Sequence, residues 1–299
     1  MSEALAVDAV MTDTTDVPVT AVSSYRPPGP VRRVLRSVVF VIALVLLAVF
    51  ILGPIVWLAI RAFAGQWTFP DILPTQWTLK WWKTVFSDPS LLSSMRLSVE
   101  LAVVVTLVSA IICLPAAYAF SRFKFPGRQV MLISLFAANA FPRIGLFVAL
   151  AGLFYTLHLM ETFVGLIIVQ LLGTIIYMTW IPAAAFASVP RSLEEAARDA
   201  GAGPLRVFFK VTVPLALPGI LVAMILSFIS AFDEAQGSYL VGAPTYLTMP
   251  SEMYTLVLNY PPPVAAVFSV VLSTPSVILM LLVRRHIMGG TLAEGFQLR

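Results

Sequence analysis

Stretches of about twenty almost uncharged residues recur six times along this chain, and that length suits a helix crossing the ~30 Å hydrocarbon core of a bilayer. Their approximate bounds are 38–60, 98–120, 130–152, 163–187, 218–236 and 264–283. Lipid offers no hydrogen-bond partner to a backbone N–H or C=O, so segments too long for single strands must satisfy themselves as helices. The expectation is an all-α membrane protein with six transmembrane helices. Composition excludes the soluble alternative: 11% of residues are charged, against roughly 25% in a soluble domain. The mean hydropathy of +0.93 agrees.

The formal net charge of +4 could suggest nucleic acid, but the basic residues border the apolar blocks and act as topology signals. Of 19 Lys and Arg, 14 fall on one set of connecting segments and 4 on the other, while Arg143 lies within a block. The richer set is cytoplasmic by the positive-inside rule, which puts both termini in the cytoplasm of a multi-pass protein. Arg122 and Lys124 are read as topology charges of this kind. Residues 1–35 are expected to form a flexible cytoplasmic tail, polar and ending near Pro27, Pro28 and Pro30. The first apolar block exceeds a secretory h-region, so it is read as a retained span. Residues 62–97 hold Trp67, Trp77, Trp81 and Trp82, suited to the outer headgroup level. Cys113, the single cysteine, reads as a small buried hydrophobe.

The segment 188–217 is too long for an ordinary inter-span loop and carries its own helix punctuation. Leu193 to Ala200 is a run of helix formers stopped by Gly201, and Pro204 can open a second short helix. Pro214 and Pro218 mark entry into the fifth span. Small Ala196 and Ala197 permit close approach of a partner.

Glu195-Ala196-Ala197, then Gly201, then Val211-x-Val213-Pro214 resembles the EAA loop of ABC-type importer permeases. Pro115–Gly127, Phe141-Pro142 and Gly165-Leu166-Ile167 are similar to the same family, so the resemblance covers nearly everything after residue 35. It implies a type I ABC importer permease fold, with residues 36–299 forming the transmembrane permease domain of a bacterial cell-membrane protein. It also implies that Leu193, Glu194, Glu195, Ala196, Ala197, Asp199, Gly201 and Pro214 serve coupling to an ATPase. The implied partners are a second, similar permease, two ATP-binding cassette subunits and an extracytoplasmic solute-binding protein. The chain itself would bind no cofactor, since ATP and Mg belong to the ATPase subunits, and no nucleic acid. Arg284–Gly295 is similar to the ending of maltose-type and other carbohydrate permeases. Trp77–Trp82, Phe232-Asp233-Glu234 and Tyr239–Pro244 look more like polyamine permeases. A sugar or sugar derivative leads as the solute, with a polyamine or similar organic cation as the alternative.

Charged residues within spans are expensive in lipid and mark function or pairing. Arg143 stands 14 residues past Gln129 and Asp233 stands 15 past Pro218, roughly 21–23 Å deep at about 1.5 Å per residue. An ion pair from Arg143 to Asp233 or Glu234 would lock spans three and five together. Alternatively Asn139, Arg143, Asp233 and Glu234 line the translocation path, with Pro142 kinking the helix beside them. The chain lacks a G-x-x-x-x-G-K-[ST] loop and an H-E-x-x-H motif, and His158 and His286 are isolated, so an enzyme is not expected. A secondary transporter would need ion-coupling residues on several spans, where charges here are few.

Overall fold

The structure, a computed structural model, describes residues 30–288 apart from 69 and 141, without side-chain detail at 30–34, 136–140 and 283–288. The expected tail at 1–29 and the carbohydrate-permease ending beyond 288 lie outside the described residues. The described residues are helical, with no strand beyond an isolated bridge between Ala64 and Trp77. Two units separate near residue 55. The first holds most of α1 (Pro30–Ala62), apolar on every side as a lipid-facing helix requires.

The second unit holds the remainder: α2 (Lys80–Ser87), α3 (Pro89–Arg122), α4 (Arg128–Ala140), α5 (Arg143–Thr156), α6 (Phe163–Ser188) and α7 (Arg191–Asp199). It continues through α8 (Pro204–Val207), a π turn (Phe208–Thr212), α9 (Val213–Phe232), α10 (Gln236–Gly242), α11 (Met249–Asn259) and α12 (Pro262–Met288). Five helical runs are long and apolar enough to cross a membrane: 35–62, 89–122, 163–188, 204–232 and 262–282. The expected third span is instead two helices, α4 ending at Ala140 and α5 starting at Arg143. Pro142 supplies the break, because it lacks an N–H and disfavours helix at the residue before it.

Three other boundaries differ from expectation for physical reasons. Helix α3 starts at Pro89, not near 98, because Asp88 caps it by accepting the Ser90 N–H at 2.9 Å and Pro89 suits the first turn. Pro204 does open a helix, but α8 runs through the π turn into α9, so 204–232 is one piece. The wide turn absorbs Pro214, which can neither donate to nor abut the carbonyl four residues back. At its other end α9 stops at Phe232, which leaves Asp233 and Glu234 beyond the helix rather than inside it.

Helices α3, α6 and α9 pack on one another to form the centre of this unit. Gly219 permits the approach of α9 to α6, since a Cβ there would collide with that of Ala185. A Ser109–Thr174 hydrogen bond of 3.0 Å joins α3 to α6 within the core. Toward α7, Ala117, Phe186, Val189, Ala216 and Ile220 close the core with Tyr118 and Phe208 at its edge. Toward α11, a larger cluster gathers Leu91, Leu101, Leu166, Phe232, Met249 and Phe268. The tryptophan-rich segment before α2 is partly folded into this end: Trp81 Nε1 donates to the Ala64 carbonyl at 2.8 Å.

Candidate functional site

Helix α7 ends where its sequence demands. Gly201 takes φ +85°, a conformation that side chains disfavour, and its N–H donates to the Arg198 carbonyl at 2.8 Å. The Ala202 N–H donates to the Ala197 carbonyl at 3.0 Å, completing a two-bond cap that satisfies carbonyls otherwise orphaned. The helix is polar on one side. Leu193, Glu195, Ala196 and Asp199 are exposed, Ala197 is half-buried and Glu194 is buried. Leu193 is 46% exposed and Leu205, on neighbouring α8, is 73% exposed. Apolar side chains left in solvent on a capped, charged hairpin make a surface that another protein can cover.

Glu194 therefore differs from the other residues of the run: it points into the protein. Its Oε1 accepts from Arg122 Nη2 at 2.9 Å, from Arg122 Nε at 3.1 Å and from Thr212 Oγ1 at 2.7 Å. The two charged side chains are 5% and 7% exposed. Arg122 Nη2 also donates to the Val189 carbonyl at 2.9 Å, and Arg191 Nη2 donates to the Arg122 carbonyl at 3.3 Å. The reading of Arg122 as a topology charge is thus incomplete. It is one half of a buried ion pair. Nothing local in the sequence joins positions 122 and 194; an arginine closing a long apolar helix, opposite an acidic helix start, is the faint signal available. Pro214 is exposed in the first turn of α9, next to the π turn that holds Thr212.

The path candidates have separate surroundings. The side chain of Asn139 lies outside the described residues. Arg143 is exposed at the start of α5. Asp233 follows α9 and accepts from Ser276 Oγ of α12 at 3.3 and 3.4 Å. Glu234 turns the other way: Oε1 accepts the Gly237 N–H at 2.8 Å, and Oε2 accepts the Ser238 N–H and hydroxyl, each at 2.7 Å. Its carboxylate caps α10, where the helix dipole favours it. Gln170 of α6 reinforces that corner by donating to Ser238 Oγ at 3.0 Å. Among the described residues, no three His, Cys, Asp or Glu side chains converge in a way that could hold a metal ion.

Residues 102–288 match the family of binding-protein-dependent transport system inner membrane components. The chain belongs to that family. Among similar permeases is the trehalose/maltose transport system permease protein MalG of Thermococcus litoralis, 30% identical over 68% of this chain and 74% of that one. Another is the sulfoquinovosyl glycerol transport system permease protein SmoH of Agrobacterium fabrum, 28% identical over 92% of this chain and 96% of that one. A solved bacterial ABC transporter that imports the acidic polysaccharide alginate has a chain that aligns with a TM-score of 0.67 at 22% identity. The alignment covers 87% of this permease and 99% of that chain, and it shows the shared importer-permease fold. Membership settles the class: a membrane transport component, not an enzyme.

Proposed function

We propose that this permease is one membrane-spanning subunit of an ATP-driven sugar importer, and that α7 is the helix through which ATPase subunits act on it. The observation that carries the reading is α7 itself. A rigidly capped helix presents Leu193, Glu195, Ala196 and Asp199 outward while Glu194 anchors it inward. That is the form a docking element needs: exposed where a partner binds, fixed where force must pass. The bias of basic residues supports a cytoplasmic α7, on the side where ATP is available. In the assembly we envisage, a second similar permease completes the path, two ATP-binding cassette subunits grip α7 and its counterpart, and a solute-binding protein delivers from outside. Nucleotide-driven closure would then bias the spans between outward and inward access.

A sugar is favoured on two grounds. Similar permeases are named for trehalose, maltose, maltodextrin and sulfoquinovosyl glycerol. The competing case for a polyamine rests on the likeness of Trp77–Trp82, Phe232-Asp233-Glu234 and Tyr239–Pro244 to polyamine permeases, and of the two carboxylates there Glu234 has both oxygens taken up by α10. Asp233 alone, already bonded to Ser276, makes a weaker claim on a polyvalent cation.

The test uses the full complex in proteoliposomes with its solute-binding protein. Maltose or trehalose is expected to stimulate ATP hydrolysis and to accumulate inside, and Asp233→Asn is expected to keep that uptake. Stimulation by spermidine but not by sugar, lost in Asp233→Asn, would reject the sugar reading. Accumulation without ATP would reject the importer reading.

A further inference from the structure

The chain leaves α7 covalently at both ends: back to α6 through Val189 and Pro190, and on to α9 through α8 and the π turn. The link to α9 is soft. Gly201 and Gly203 precede it, and a π turn followed by Pro214 interrupts the regular hydrogen-bond ladder of the helix. A displacement applied at α7 could be absorbed there before it reached α9.

A further route is not covalent, and it centres on Arg122. This residue closes α3, 72 positions before Glu194. Its guanidinium reaches the Glu194 carboxylate on α7 and, at the same time, the Val189 carbonyl that follows α6. Glu194 in turn takes the Thr212 hydroxyl from the π turn at the root of α9. Arg191 returns a bond from α7 to the last carbonyl of α3. One charge pair therefore touches the ends of α3, α6 and α9, the three helices that form the centre of the unit, and ties all of them to α7. A planar fork suits the task, because Nε and Nη2 hold the Glu194 carboxylate from fixed directions while Nη2 also reaches the Val189 carbonyl, where an ammonium is a single point charge. Burial matters as well. Another ion pair among the described residues, Arg96–Glu100, lies on an exposed face of α3 with side chains 82% and 50% in solvent. Water screens and loosens a pair of that kind, whereas the Arg122–Glu194 pair is shielded on nearly every side.

We propose that Arg122 is a positioning residue for energy coupling: it makes α7 and the ends of α3, α6 and α9 move as one body, so that the soft π turn cannot absorb the stroke. The inference rests on the reading of α7 as the coupling helix. It assigns a role in transport to a residue that neither faces the solute nor lies on the docking surface.

The experiment compares Arg122→Gln and Arg122→Lys with the unmodified protein, each as assembled complex in proteoliposomes with its solute-binding protein and sugar. The readout is solute imported per ATP hydrolysed. A purely structural role lowers the yield of complex and leaves that ratio alone in what assembles. A positioning role lowers the ratio itself, by roughly 2- to 30-fold for one link in a coupling network. If Arg122→Gln does not assemble, Arg122→Lys decides, since it keeps the charge but loses the rigid two-nitrogen grip on the Glu194 carboxylate. An unchanged ratio in the assembled variants overturns the proposal. Glu195→Lys and Gly201→Val, measured alongside, separate this from the underlying reading. If they too leave the ratio unchanged, α7 is not the coupling helix. If they lower it while the Arg122 variants do not, only the role of Arg122 fails.

Discussion

Glu194 at the α7 end and Glu234 at the α10 end are both drawn away from solvent, and they are satisfied by opposite means. Glu194 meets a cation from a distant helix; Glu234 meets the N–H groups of the helix that begins two residues later. The first arrangement is a tie between elements, and the second is a local cap. A tie carries force but exposes the protein to a large loss when one partner goes, because the other charge is left stranded in a dry place. A cap carries little beyond its own helix, and its loss stays near that helix.

The largest expected effect tests that difference directly. Glu194→Ala leaves Arg122 buried and uncompensated, and should cost about 3–5 kcal/mol in the stability of the purified complex, read by denaturant or thermal unfolding. Adding Arg122→Met should recover much of the loss, since no charge is then stranded. Glu234→Ala is expected to cost less, roughly 0.5–2 kcal/mol, with faster amide exchange confined to α10. If Glu234→Ala proves the more damaging of the two, the contrast between tie and cap collapses.

A third carboxylate sharpens the comparison. Glu252 of α11 is buried, its Oε2 has no hydrogen-bond partner among the described residues, and it borders a cavity of about 380 Å³. It has neither tie nor cap. Burial pushes its carboxyl above the ordinary 4.5, and the nearby charge of Asp88 adds to the push. The folded state therefore holds this proton more tightly than the unfolded chain does. Glu252 costs nothing below the ordinary value and erodes stability as pH rises through the raised one. Glu252→Gln should accordingly unfold at higher temperature than the unmodified protein at neutral pH, with the gap closing on acidification. A gap that widens in acid would mean that Glu252 is paired after all.

Legibility in the sequence follows the same division. Gly201, Asp88-Pro89 and the apolar blocks act over a few residues, and each can be read from the order of the chain. The apolar block alone puts the start of α3 near 98, while Asp88 and Pro89 mark it at 89. The same kind of block extends across Asp233 and Glu234, whereas α9 stops at Phe232. The Arg122–Glu194 tie joins positions 72 apart and depends on how α3, α6 and α9 pack, which no local pattern encodes. The hairpin at 191–201 was readable as a motif, while the inward turn of one of its glutamates was not.

The break at Pro142 has a consequence for biogenesis. Helices α4 and α5 have 13 and 14 residues, roughly 20 Å each at 1.5 Å per residue, against a hydrocarbon core of about 30 Å. Neither is long enough to be accepted by the insertion machinery as an autonomous span. Their lodging must be a late event in synthesis, settled by neighbours that emerge afterwards: α6, against which α4 rests, and α10, against which α5 rests. A ribosome stalled before residue 163 would thus leave this stretch of the nascent chain without a stable address in the bilayer.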